Sequence, residues 1–298
     1  MRPSPWMIAA LITAVVSIIN PIDATADPAP LTFAAQRDCQ LTALRPNPII
    51  TLPGGGGPAV AVDEQDIADD GFVQTMLSAG ACVFGMFYGV VDGLGVGAAP
   101  IAASAGQLAD YIETVKGETG AMQVDIVAHS QGALVANYYT KVLGGAANVG
   151  NIVSFAPVTH GSRADSPLAL INENLPEFRL PNPGGLAQLL SGGPVLSAVA
   201  DLTRAPGWLA CLEGSDAIQR VSEGGITVPG VRYFVMATRN DTVNTPAGDA
   251  SFIDETGVSN AYFEDLFPAA GPTTHRRLLA QPQAWQWTIA MLYGPRPA

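Results

Sequence analysis

The sequence predicts an α/β protein built on a largely parallel sheet, and three observations lead there. Short apolar runs rich in β-branched and aromatic residues alternate with longer stretches whose apolar residues recur at helical spacing, the rhythm of strands covered on both faces by helices. One junction in that series, Ala128-His129-Ser130-Gln131-Gly132, links the apolar run Val124 to Ala128 to the helix-like run Ala133 to Leu143. It reads as a sharp strand-to-helix turn that lifts a serine hydroxyl clear of the sheet, with small residues on either side because the backbone is crowded there. The length, 298 residues, is enough for one large domain with a buried core and does not require two.

Taken in order, residues 1–26 have the three parts of a secretory signal: a basic start at Arg2, an apolar segment from Trp6 to Ile19, and Ala24-Thr25-Ala26 as a small-residue cleavage site near Ala26. The expectation is a secreted protein, extracellular or in the cell envelope, whose domain spans 27–298 without a later membrane-spanning run. Pro48 to Leu52 and Ala81 to Tyr88 read as the first core strands. Ile101, Ala105, Leu108, Ile112 and Val115 fall on one helical face, and the spacing predicts a helix stopped at Gly117. Val124 to Ala128 leads into the serine turn, and the following helix ends at Gly144-Gly145. Asn151 to Phe155 and Val231 to Ala237 are further buried strands, and a last helix runs from Pro282 to about Tyr293 with proline in its first turn. Between about 161 and 230 the rhythm breaks into Pro/Gly-punctuated, Leu-rich pieces such as Leu186 to Leu190 and Val195 to Leu202. That is too long for a plain connection and reads as a helical cap inserted over the active face.

Composition narrows the function classes. A net charge of −12 opposes binding to nucleic acid or to anionic membrane surfaces. Charged residues are scarce and apolar ones plentiful, which suits an apolar binding face. Three cysteines, Cys39, Cys82 and Cys211, allow one bridge and one leftover thiol in an oxidising compartment. Cys39 and Cys82 flank the first core strand region and are the favoured pair, although the sequence alone leaves the pairing open. Such a bridge contributes about 4 kcal/mol through loop-closure entropy. No His-x-x-His pair or cysteine cluster marks a metal site, and the Gly93 to Gly97 stretch lacks the context of a dinucleotide fingerprint, so neither metal nor cofactor is expected.

A serine hydroxyl becomes a useful nucleophile when an imidazole oriented by a carboxylate removes its proton. The chain has three histidines. His129 leaves the turn in another direction from Ser130 and reads as a packing or hydrogen-bonding residue. His160 precedes any plausible acid, so His275 is the candidate base. In hydrolases with such an elbow the order is serine, acid, histidine, with the acid on the loop after a late strand. Asp241, on the loop after Val231 to Ala237, is chosen, with Asp249 and Asp254 as rivals. The tetrahedral oxyanion needs two pre-aimed N–H donors. Gln131, the residue after the serine, supplies one, and the glycine run after the first strand supplies the other at Gly55. That run lacks the Lys-Ser/Thr continuation of a phosphate-cradling loop.

With these motifs in place, the chain resembles the α/β-hydrolase-fold lipases of the Candida antarctica lipase B kind, and small bacterial lipases. Leu52-Pro53-Gly54-Gly55 is similar to that family's oxyanion turn, and Ser130-Gln131-Gly132 to its elbow. Phe155-Ala156-Pro157 followed by Gly161 also resembles the family, as does an acid five residues before a proline, Asp241 before Pro246. Ala128-His129-Ser130 looks equally like the elbows of small bacterial lipases. The resemblance covers about Cys39 to His275, and a disulfide at positions like Cys39 and Cys82 is similar to one in the family. Gly55 stands where the family has threonine, so an extra hydroxyl donor is missing, and the family's later cysteine pairs are absent. The resemblance implies a secreted lipase or carboxylesterase that cleaves fatty-acyl esters and makes transient contact with a lipid interface, with the Leu186 to Leu212 region lining or covering the acyl site. An acyltransferase or polyester depolymerase would use the same three residues, and a non-catalytic binding protein on the same scaffold is the reading from another class.

Overall fold

The computed structural model describes residues 29–36, 38–57, 62–163 and 204–294. The signal segment 1–26 and most of the expected cap, 164–203, lie outside the described residues, including Leu186 to Leu190 and Val195 to Leu202.

The described strands are β1 Leu31–Ala34, β2 Ile49–Leu52, β3 Val83–Phe87, β4 Val124–His129, β5 Val149–Phe155, β6 Arg232–Ala237 and β7 Ser259–Tyr262. They form one sheet in the order β1-β3-β2-β4-β5-β6-β7, in which β1 pairs antiparallel with β3 and every other pair is parallel. Consecutive residues of the central strands serve opposite faces. Ile50, Leu52, Phe84, Met86, Ile126 and Ala128 face one core, packed against helix α3 (Ile101–Thr119), helix α4 (Gln131–Asn137) and helix α6 (Asp216–Ser222). Ile49, Val83, Val127, Val153, Phe155 and Met236 face the other, under α2 (Gly71–Ser78) and the last helix, α8 (Pro282–Tyr293). Burial on both faces explains why these strands read as continuous apolar runs in the sequence.

The registers place the working loops together. Leu52 lies opposite Ala128, Ala128 opposite Ser154, and Ser154 opposite Val235. The turn after β2, the serine turn after β4 and the loop after β6 therefore emerge from the same carboxyl edge of the sheet, where open α/β sheets bind ligands.

Several expectations need correction. The first long helix continues past Gly117, whose added Cβ would meet nothing within 4 Å, and ends at Gly120, which takes φ 72° and donates its N–H to Lys116. A single glycine costs a helix only about 1 kcal/mol, less than the buried stripe from Ile101 to Val115 returns. After the serine turn, the α-helix lasts only to Asn137 and Tyr138–Val142 continue as a π-helical turn. Its two tyrosines are buried and tied, Tyr138 to Arg220 and Tyr139 to Asn148. The strand expected at Ala81 to Tyr88 is shorter at both ends. Strands β1 and β7 and the short helices α1 (Glu64–Asp69) and α2 are additions, the helices capped by Asp63 and Asp70 side chains. Between β5 and β6 the described part of the insertion holds α5 (Pro206–Leu209) and α6, and α7 (Phe263–Leu266) follows β7.

Cys39 and Cys82 are joined, with an S–S distance of 2.07 Å, fastening the segment before β2 to the start of β3, and Cys211 is free and buried. At the opposite end of β4 from the serine turn, the buried Asp125 carboxyl accepts from Asn47 at 2.9 Å and Asn151 at 2.5 Å. Burial pushes its pKa up to about 6, against the pull of those hydrogen bonds and of Arg232. A carboxyl that holds its proton more tightly when folded favours the native state most at low pH. That contribution falls as pH rises from about 4, the unfolded value, to about 6, and is flat above. Asp125→Asn keeps an oxygen for both asparagines, so the difference in unfolding free energy between variant and parent should change across pH 4 to 6 and stay constant above. Urea titrations at several pH values measure this; a constant difference across pH 4 to 6 would contradict it.

Candidate active site

Ser130 follows directly from β4 and begins α4 at φ 52° and ψ −121°. A side chain at positive φ is uncommon and costs about 1–3 kcal/mol, so the surroundings must hold it there. They do so from both sides. The Ser130 N–H donates to Phe155 O of the neighbouring strand at 2.9 Å, and a Cβ on Gly132 would come within 2.8 Å of the carbonyl oxygens of Leu52 and Pro53. Only glycine at 132 lets the helix start this close to the end of β2.

Asp241 lies on the loop after β6. Its Oδ1 accepts from the Val243 and Asn244 N–H groups, each at 2.8 Å, and its Oδ2 lies 2.8 Å from His275 Nδ1. Both side chains are almost completely buried. A carboxylate only accepts, so His275 Nδ1 carries the proton and Nε2 is left with its lone pair. The rivals Asp249 and Asp254 are exposed and hold no such position. His160 is exposed as well and pairs with Phe252 O at 2.8 Å.

His129 brings the histidine to the serine turn. Its Nε2 lies 3.0 Å from the backbone oxygen of His275, and the two rings sit 4.7 Å apart between centroids. Burial, with the neighbouring His275 adding to it, pushes the His129 pKa down to about 3. The ring is therefore neutral, and because a carbonyl can only accept, its proton sits on Nε2. The residue next to the serine thus clamps the backbone of the residue that would deprotonate it. The sequence reads His129 as a packing or hydrogen-bonding residue and does not show its partner.

The glycine turn after β2 closes over the serine. A Cβ at Gly54 would sit 2.8 Å from His129 Nδ1 and 3.2 Å from Ser130 Cβ, and one at Gly55 would sit 2.4 Å from Gln131 Oε1. The Gly56 N–H is spent on Val96 O, whereas the N–H groups of Gly55 and Gln131 take no acceptor among the described residues. The Gln131 side chain is buried beneath them. It donates to Gly97 O at 3.0 Å and Gly207 O at 2.6 Å, using both amide protons, and the Tyr88 hydroxyl, which donates to Pro53 O at 2.8 Å, lies 3.4 Å from its Oε1. Gly97, at φ 72°, faces this amide so closely that any side chain there would overlap it. Cys211 packs beside the same group; burial pushes its thiol up to about 12, so it stays protonated and is no nucleophile. The Gln131 side chain and its contacts to Tyr88, Gly97 and Gly207 were not foreseen. A lone glutamine carries no motif, and its partners are far away in the chain.

A buried Asp–His pair, tied through His129 to the turn that holds a positive-φ serine at the carboxyl edge of a mostly parallel sheet, decides the architecture. The chain has the α/β-hydrolase fold. Residues 73–175, which include the elbow of this hydrolase fold, match the class 2 lipase family. Among solved structures, Aspergillus fumigatus lipase B is similar with a TM-score of 0.58 and 18% identity over 84% of this chain. The chain spans about half of that protein, 53%. The mature form of Bacillus licheniformis lipase BlEst2 has a TM-score of 0.58 and 12% identity, with 90% of this chain and 100% of that chain covered. The esterase EaEST of Exiguobacterium antarcticum has a TM-score of 0.55 and 13% identity, with 88% and 94% covered. No curated protein matches. No described helix is long and apolar enough to cross a membrane.

Gly55→Ala forces a methyl group against an amide that is held at both nitrogen protons, displacing the turn. The rate at which Ser130 is phosphonylated by a fluorophosphonate should fall about 100-fold, the scale of a lost oxyanion donor. Gly57→Ala, whose methyl meets nothing within 4 Å, should leave that rate unchanged. Equal rates for both variants would contradict the assignment.

Proposed function

We propose that this protein is an exported serine ester hydrolase acting on apolar acyl esters, a lipase or carboxylesterase. The observation that carries the proposal is the His275 Nδ1 to Asp241 Oδ2 contact of 2.8 Å, with His275 braced by His129 beside Ser130. Ser130 Oγ attacks the ester carbonyl while His275 Nε2 takes its proton. The oxyanion is received by the Gly55 and Gln131 N–H groups. His275 then gives the proton to the departing alcohol, leaving an acyl-serine. A water molecule, deprotonated by the same nitrogen, attacks the acyl carbon and releases the carboxylic acid and Ser130. Asp241 stabilises the imidazolium formed in each half of the cycle, and no cofactor enters the balance.

The match to class 2 lipases across the elbow supports the substrate class, as do the similar folds of proteins named as lipases and esterases. Export is supported by the Cys39–Cys82 disulfide, a bond of oxidising compartments, together with the signal-like residues 1–26.

Hydrolysis of p-nitrophenyl esters of increasing acyl length tests the proposal. Ser130→Ala and His275→Ala should each lower kcat by a factor on the order of 10⁴ or more, with circular dichroism unchanged. Undiminished turnover by Ser130→Ala would refute the mechanism, and activity confined to acetyl esters would refute the apolar-acyl preference.

A further inference from the structure

Asp241 and His275 stand on separate loops, and the residue between them in the chain that joins those loops is Glu264, on α7. Its Oε1 accepts from the Thr238 hydroxyl at 2.6 Å, from Asn240 Nδ2 at 3.2 Å and from the Thr273 N–H at 3.4 Å. Its Oε2 accepts from the Arg239 N–H at 3.1 Å. Thr238, Arg239 and Asn240 are the three residues before Asp241, and Thr273 is two residues before His275. The Thr238 hydroxyl also lies 3.1 Å from Thr273 O, on the same seam.

The chemistry of the four contacts matches an anion. Every group directed at the carboxylate is an N–H or O–H donor, and hydrogen bonds to a charged acceptor are about twice as strong as neutral ones. Burial acts to raise the pKa of Glu264, but the hydrogen bonds from Thr238, Arg239 and Thr273 outweigh it, and the group lies below its ordinary value. The nearby guanidinium of Arg239 is engaged elsewhere, with Asp265 at 2.6 Å and over the Tyr262 ring at 3.9 Å. The carboxylate is thus committed to the two loops and not to a surface ion pair.

We propose that Glu264 is a positioning residue of the active site: one carboxylate sets the spacing of the Asp241 loop and the His275 loop, and through it the aim of His275 Nε2 at Ser130. The inference rests on the reading of Ser130, His275 and Asp241 as the proton-transfer system. Glu264 touches no reacting atom, so its loss alters turnover more than substrate binding, because small displacements of a base cost rate steeply.

The test is a double-mutant cycle on p-nitrophenyl ester hydrolysis, with active sites counted by phosphonate titration so that unfolded protein does not enter the rates. Glu264→Gln keeps the length of the side chain but leaves one acceptor oxygen to serve both loops. It should lower kcat about 10- to 100-fold and leave KM within about twofold. In an Asp241→Asn background the same change should cost less than about threefold, because the bond it protects is already spoiled. Glu264→Asp, which retains four acceptor positions, should recover part of kcat. If Glu264→Gln does not fold, Thr238→Val removes the shortest contact and should show the same kcat loss and the same non-additivity. An unchanged kcat, or an equal loss in both backgrounds, overturns the positioning role. If Asp241→Asn itself leaves kcat intact, the underlying triad reading falls instead.

Discussion

The backbone of Ser130 is the constraint on which the rest of the site depends. A serine at φ 52° persists only because β4 is locked between β2 and β5, its N–H is received by Phe155, and Gly132 admits the carbonyls of Leu52 and Pro53 against the helix. The cost of that conformation, about 1–3 kcal/mol, is offset by a core buried on both faces of the sheet. In return the hydroxyl stands at the carboxyl edge, next in the chain to the Gln131 N–H, which takes no acceptor among the described residues.

From that fixed point, neighbouring residues of the elbow reach out in two directions. His129 extends to the His275 backbone and remains neutral because it is buried, so its hydrogen bond does not depend on pH in the range where proteins are folded. Gln131 extends to the other side, joining the Gly97 turn and the Gly207 turn beneath Gly55. Ser130 is therefore flanked by two side chains that do no chemistry in the proposed cycle but hold His275 on one side and the glycine turn on the other. The base of the insertion is part of this arrangement: Gly207 also donates to Ala98 O, and the Trp208 indole to Val96 O at 3.0 Å.

The central strands and long helices were legible in the sequence because each is a buried apolar run or a stripe with helical period. The last helix, Pro282–Tyr293, falls where its proline and its periodicity put it. The edge strands were not legible: β1 and β7 have four residues each, none of them buried, too short a run to carry a strand pattern. The end of α3 was misplaced because Gly117 and Gly120 look alike in sequence, while only the left-handed backbone at Gly120 stops the helix. The serine turn is legible as a motif and the pairing of Asp241 with His275 as a matter of chain order, and the structure shows the positive-φ turn and the contact; their roles in catalysis are proposed. Glu264 is not legible, since a glutamate beside an aspartate on a short helix resembles any solvated pair, and its partners lie 9 to 26 residues away.

The elbow, the glycine turn and the two late loops are proposed to form one site around Ser130. A crystal structure of the protein inactivated by an alkyl phosphonate ester tests it most directly. Phosphorus should be bonded to Ser130 Oγ, with the phosphoryl oxygen about 2.7–3.1 Å from both the Gly55 and Gln131 N–H groups and His275 Nε2 within hydrogen-bonding reach of the adduct. Phosphorus on another residue, or a phosphoryl oxygen turned away from those two amides, would contradict it.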